Sequence, residues 1–224
     1  MTAAMTAPVI AIDGPAASGK GTVASGVAVA LGFHLLDSGA LYRLVAYKAL
    51  STGADPDREE PVTALAAVLG ASFGQGRVAL DGVDVTEAIR SENVSAAASR
   101  VAVHRRVRAA LLERQRAFRQ PPGLVADGRD MGTVVFPDAA LKVFVTATAA
   151  ERAHRRYKQL IEKGNQVTLD SLLRDIQERD RRDATRSVAP LEPAADAHIL
   201  DTTGVSVAEA IAFVLSRWQL AVGS

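Results

Sequence analysis

Between Ile12 and Thr22 the chain reads IDGPAASGKGT, and no other stretch restricts its fold so tightly. Gly14, Gly19 and Lys20 keep the spacing G-x-x-x-x-G-K, in which glycines leave backbone N–H groups open around a concavity and a lysine adds a mobile positive charge. Ahead of the loop, Pro8 to Asp13 is a short Val/Ile-rich run that reads as a buried parallel strand. Behind it, Val23, Val27 and Leu31 recur at four-residue spacing up to Gly32, where a helix C-terminal glycine belongs. Strand, glycine loop and helix in that order aim the positive end of the helix at the concavity, which suits a nucleoside triphosphate. One position departs from the common pattern. The hydroxyl that usually follows the lysine is missing, with Gly21 in its place and Thr22 one residue later. A metal at this loop is then expected to be held more through water and phosphate oxygens than by a loop hydroxyl.

The alternation continues along the chain. Phe33 to Leu36 reads as a second strand, and Ala40 to Leu50 as a helix through Leu41, Leu44, Val45 and Leu50. From Asp55 the pattern changes. A helix to Leu69 precedes RVALDGVDV, whose alternating runs flank the hairpin signal Asp81-Gly82, and an Ala- and Arg-rich helical stretch from Glu92 to Phe118 is closed by PPG at 121–123. Strands resume at Leu124 to Asp127 and Leu141 to Val145, followed by helices from about Ala149 and about Thr168. A last strand, His198 to Leu200, leads to an apolar helix ending near Trp218. The expected fold is α/β, a doubly wound, mostly parallel sheet in one domain over 8–224. Its core is 8–54 and 121–224, an insertion with a β-hairpin and helices spans about 55–120, and residues 1–7 form a flexible N-terminus.

Composition removes several classes of function. The chain has no cysteine, so a disulfide framework and a thiolate metal site are excluded. Twenty-six Lys and Arg against 25 Asp and Glu leave a net charge of +1, too little for a general nucleic-acid binder. The start, MTAAMTAPVIAID, lacks the basic region of a signal peptide, and no segment approaches the ~20 apolar residues of a membrane span. A cytoplasmic location without membrane or nucleic-acid partners is therefore expected. His34, His104, His154 and His198 lack metal-ligand spacing, and Trp218 reads as packing.

A glycine loop alone does not name a reaction, but the placement of charges narrows it. The purine-reading N-K-x-D sequence of many GTPases is absent. Arg43 reads as lying in the first turn of a helix, where a cation opposes the dipole; an anionic ligand would resolve the conflict, and so would a salt bridge to the insertion. Asp127 ends an apolar strand, where it either joins the shell of a magnesium ion or begins the turn DGRD. Arg129 follows at the C-terminal end of that strand, the edge where open α/β sheets bind ligands. In RDIQERDRRDATR a continuous helix would put Arg179, Arg182 or Asp183, and Arg186 on one face. Guanidinium forks match phosphate oxygens. Transfer to a hydroxyl generally calls for a carboxylate base, whereas a phosphate monoester is already ionised and needs orientation and charge neutralisation. Converging arginines thus favour a phosphate acceptor, a nucleoside monophosphate.

Taken together, GPAASGKGT, LLDSGALYR, ADGRDMGTVVFP and ERDRRDATRSVAPL resemble the bacterial cytidylate kinase family, from about Pro8 through the final helix. The resemblance implies transfer of the γ-phosphoryl group of ATP to CMP or dCMP with Mg2+, in a chain expected to act as a monomer. It implies that Gly14, Pro15, Ala16, Ala17, Ser18, Gly19, Lys20, Gly21 and Thr22 bind ATP, the K-G-T form being usual among nucleoside monophosphate kinases. Ser38, Tyr42 and Arg43 match CMP-side positions. Ser99, Arg108 and Asp130 match positions that read the cytosine edge. Arg129, Arg179 and Arg186 match phosphate-side arginines that act with Lys20, and Asp183 matches the carboxylate that receives the ribose hydroxyls. Asp127 would hold magnesium through water, and the loop from Lys163 to Gln166, within a short lid at about 160–170, would close over the phosphates. The alternatives are a kinase for UMP or a hydroxyl acceptor, and a nucleic-acid-binding regulator switched by ATP.

Overall fold

The computed structural model describes residues 6–74, 76–162 and 164–223. The chain divides into two compact units, one of residues up to Leu36 together with those from Phe118 on, the other of Asp37–Ala117.

The first unit is built on a five-stranded sheet with strand order β2-β6-β1-β7-β8: β1 (Val9–Asp13), β2 (His34–Asp37), β6 (Leu124–Gly128), β7 (Leu141–Thr146) and β8 (His198–Asp201). The pairs β1–β6, β1–β7 and β7–β8 are parallel, as the doubly wound reading requires. Central β1 is buried along its whole length, which is why Val9 to Ile12 are continuously apolar instead of alternating. Helices α1 (Lys20–Leu31) and α8 (Val207–Val222) cover it. Ile10, Val27, Val143, Val214 and Trp218 share its core, and Phe33 meets Trp218 edge to face with ring centroids 5.6 Å apart. Two more helices, α6 (Ala149–Glu162) and α7 (Leu169–Thr185), enclose a small cluster of Ala153, Leu160, Leu172 and Ile176. Gly32 ends α1 in the left-handed conformation, Thr168 caps α7, and Ser206 with Glu209 forms a capping box on α8.

The N-terminal stretch expected to be flexible is partly engaged. Ala7 is buried and its carbonyl accepts from Arg119 Nε at 2.7 Å, while residues 1–5 lie outside the described residues. Lys163, the first residue of the expected lid loop, also lies outside them. No helix among the described residues is long and apolar enough to cross a membrane.

The second unit holds α2 (Ser38–Thr52), α3 (Glu59–Ala67), β3 (Ala71–Gly74), β4 (Arg77–Leu80), β5 (Val83–Asp84), α4 (Glu92–Val101) and α5 (Arg105–Arg116). The expected hairpin is present. Leu80 pairs with Val83, and Asp81 and Gly82 both take positive φ (50° and 82°), the geometry of a type I′ turn. Strand β3 was not legible: ASFG has little alternation and becomes a strand by pairing with β4. The single helical stretch expected from 92 to 118 is two helices. Its break carries no Gly or Pro, because the start of α5 is capped from a distance: Glu59 Oε1 accepts from Arg106 N at 2.8 Å, and His104 Nε2 lies 2.8 Å from the Pro56 carbonyl.

Candidate active site

The phosphate loop is built of backbone. Gly14 has φ 153°, and a Cβ there would sit 2.0 Å from the Val145 carbonyl oxygen, so no side chain fits. Gly19, at φ 88°, is the N-cap of α1, and this helix has neither a side-chain cap nor an acidic residue in its first turn. Its leading N–H groups are left to an anion. The Ser18 side chain is fully buried and its hydroxyl has no protein partner among the described residues. Lys20 Nζ folds back to the Pro15 carbonyl at 3.4 Å and lies 3.8 Å from Asp127 Oδ1. At Gly21 a Cβ would stand 3.1 Å from Asp127 Oδ2, a tight approach that sets the Asp127 carboxylate close beside the loop.

The outer carbonyls of the loop are held by α6. Arg152 donates to the Ala16 carbonyl at 3.2 Å and to Asp180 Oδ1 of α7 at 2.9 Å; Arg155 donates to the Ser18 carbonyl at 3.3 Å and to Thr202 Oγ1 at 3.0 Å. The Thr202 hydroxyl in turn donates to the Ser18 carbonyl at 2.9 Å. Sequence reasoning missed Thr202 and Asp180. The position of Thr202 after an apolar strand in DTTG, at the C-terminal edge of the sheet, was the available signal.

At the same edge, beyond β6, Arg129 Nε donates to Asp183 Oδ2 at 3.0 Å. Burial pushes the Asp183 carboxyl upward, but Arg129, Arg179 and Arg186 together outweigh it and hold the group below its ordinary value. The structure thus gathers Arg129, Arg179, Asp183 and Arg186 in the first unit, with Asp127 and Asp130 also buried at this edge. The expected continuous helical face does not extend to Arg186. Helix α7 ends at Thr185, and Arg186 is its extended C-cap (φ −63°, ψ 141°), turned so that Nε donates to the Ala189 carbonyl. Arg179, at i−4 on the same helix, acts on the Asp183 carboxylate together with Arg129 from a strand end 54 residues away, which helical spacing could not show.

In the second unit, Ser38 opens α2 and is buried. Arg43 corrects the sequence reading: α2 begins at Ser38, so Arg43 lies in the second turn. The N-cap Asp37 accepts both Ala40 N at 3.0 Å and Arg43 Nη2 at 2.6 Å. Its cation therefore meets the cap carboxylate, and Gly39 leaves room for this, since a Cβ there would be 3.0 Å from Arg43 Nη1. Arg108 is buried on α5, lies 5.6 Å over the Tyr42 ring and donates to the Ala102 carbonyl at 3.2 Å. Ser99 is buried on α4.

Comparison with known proteins agrees with this geometry. The family model described as cytidylate kinase matches residues 10–219. The cytidylate kinase of Bordetella bronchiseptica is 59% identical over 213 residues, covering 95% of this chain and 96% of that protein. Those of Burkholderia ambifaria and Paraburkholderia phytofirmans are each 58% identical, covering 96% of this chain and 94% of theirs. A match of this extent, over a fold with a phosphate loop facing buried carboxylates and arginines, shows that the chain belongs to the cytidylate kinase family.

Proposed function

We propose that the phosphate loop and the arginine cluster around Asp183 divide one reaction: transfer of the γ-phosphoryl group of ATP to CMP or dCMP, giving ADP and CDP or dCDP. The loop amides and Lys20 receive the ATP phosphates and stabilise charge on the transferred group. Arg129, Arg179 and Arg186 orient the acceptor phosphate, whose oxygen is already ionised and needs no general base, and Arg43 is assigned to the acceptor by its match to the family motif. Asp183 accepts from the ribose hydroxyls. Asp130 accepts from the exocyclic amine of cytosine, and Ser99 and Arg108 donate to its acceptors; uracil would set a carbonyl oxygen against the Asp130 carboxylate. Ser38 and Tyr42 complete the acceptor side.

Asp127 suits a magnesium ion. Its carboxylate lies 3.8 Å from the Lys20 ammonium beside the loop, where it would hold the water shell of a cation bound mainly by phosphate oxygens. Bound Mg2+ supplies charge neutralisation on those phosphates. The near-zero net charge speaks against a general nucleic-acid binder.

The observation that carries this reading is the buried carboxylate ringed by arginines at the edge of the sheet that also bears the loop. A coupled assay over CMP, dCMP, UMP, AMP and a hydroxyl acceptor tests it. CMP and dCMP are expected to lead; a preference for AMP or a hydroxyl would overturn the assignment.

A further inference from the structure

The site as assigned leaves one buried carboxylate unused. Asp13, the last residue of β1, is 6% exposed, and its two oxygens accept the backbone N–H groups of Met131 and Gly132, each at 2.8 Å. Burial pushes this carboxyl up to about 7; the two amides pull against it, and Asp130 and Asp127 add to the rise. Such a group is costly to keep in a core, so its bonds are informative.

Those bonds enclose a short segment. The Asp13 backbone is the register partner of Gly128 at the end of β6, while its side chain grips residues 131 and 132. Arg129 and Asp130 are what lies between. Past them the chain closes on itself: Val134 N and Val135 N donate to the Asp130 carbonyl, and Phe136 N to the Met131 carbonyl. Gly132 seats this turn against β1 and β7, where a Cβ would come within 3.1 Å of the Lys142 side chain and 3.5 Å of Ala11. One residue therefore holds both ends of the span that carries a phosphate-side arginine and the base-reading carboxylate.

We propose that Asp13 is a positioning residue for the acceptor, fixing Arg129 and Asp130 through the Met131 and Gly132 amides. This rests on the roles given above to those two side chains. Asp13 directly precedes Gly14, so it also sets the entry to the phosphate loop, and the test must separate the two effects.

The test compares Asp13→Asn, which keeps the shape but offers one acceptor oxygen, with Asp13→Glu, Arg129→Ala and Asp130→Asn in steady-state assays with CMP, UMP and ATP. For Asp13→Asn, kcat/KM for CMP is expected to fall about tenfold to a hundredfold, the effect of leaving a buried donor unpaired. The CMP-to-UMP preference should fall with it and KM for ATP change less than about threefold, with Asp13→Glu recovering neither loss, because the longer arm displaces the turn. A lowered unfolding midpoint with unchanged kcat, KM and preference would make Asp13 merely structural and overturn the proposal, as would a rise confined to KM for ATP. Hydrogen exchange on the wild-type protein gives a readout that needs no variant: Met131 and Gly132 amides exchanging as fast as exposed ones would also overturn it. If Arg129→Ala and Asp130→Asn behave as wild type, the residue roles fail; if they are impaired and Asp13→Asn is not, only the positioning role fails.

Discussion

The phosphate loop and the Asp183 cluster stand at the same edge of one sheet, yet they are made of different material. The loop is backbone. Its anion-binding groups are peptide N–H donors, and its shape is held by glycines and by carbonyls tied down from α6. The cluster is side chain. A carboxylate meets three arginines from a strand end, a helix and a helix cap, one of them 54 residues away in the sequence. Backbone sites are rigid and indifferent to the identity of most neighbours. Charge clusters can be tuned by single substitutions and depend on their partners for stability.

The largest effect should come from the one side-chain charge in the loop. Lys20→Ala is expected to lower kcat on the order of 10³-fold with little loss of stability, because the loop backbone persists without it. Single-turnover kinetics and thermal unfolding check this; a large stability loss would mean that Lys20 is part of the frame. Arg129→Ala breaks the other side of the comparison. Turnover with CMP should fall about 10²-fold while ATP affinity is nearly kept. Stability should also drop by roughly 1.5–3 kcal/mol, the worth of a hydrogen bond to a charged group. The pH profile sharpens this. A carboxyl held below its ordinary value contributes stability that is present above the unfolded-state pKa and lost as pH falls through the folded one. Removing Arg129 should narrow that gap for Asp183, so acid unfolding of the variant should begin at higher pH than in the wild type. The smallest effect tests whether α7 charge matters in general. Arg181 pairs with Glu178 on the exposed face, where Arg181→Ala should leave turnover and the unfolding midpoint unchanged. A clear kinetic loss there would show that the helix acts through its overall charge instead of through the buried cluster.

Legibility follows the same division. The loop was readable because glycine spacing, lysine and flanking periodicity are all local, and even the anomaly at Gly21 was visible, although its close neighbour, the Asp127 carboxylate, was not. In the cluster the residue types could be named from motif resemblance, but not their pairing. Helical spacing put Arg179 and Asp183 on one face, but nothing local showed that Arg129, 54 residues away, also reaches that carboxylate. Arg43 was misjudged because the helix start was set at Ala40; Asp37 as N-cap moves the start to Ser38 and supplies the anion. The break before α5 was invisible because its cap is donated from α3.

The sequence by itself determined the parallel α/β core, the phosphate loop and the hairpin turn. Each is marked by a signal within a few residues: an apolar run, glycines spaced around a lysine, an Asp-Gly pair that takes positive φ. Only the tertiary structure decided which charges neutralise which, where helices end against caps from elsewhere, and that Asp13 grips residues 118 and 119 positions away. Those outcomes rest on burial. A carboxylate or guanidinium removed from water must find a partner wherever the chain brings one, and local spacing carries no record of that search.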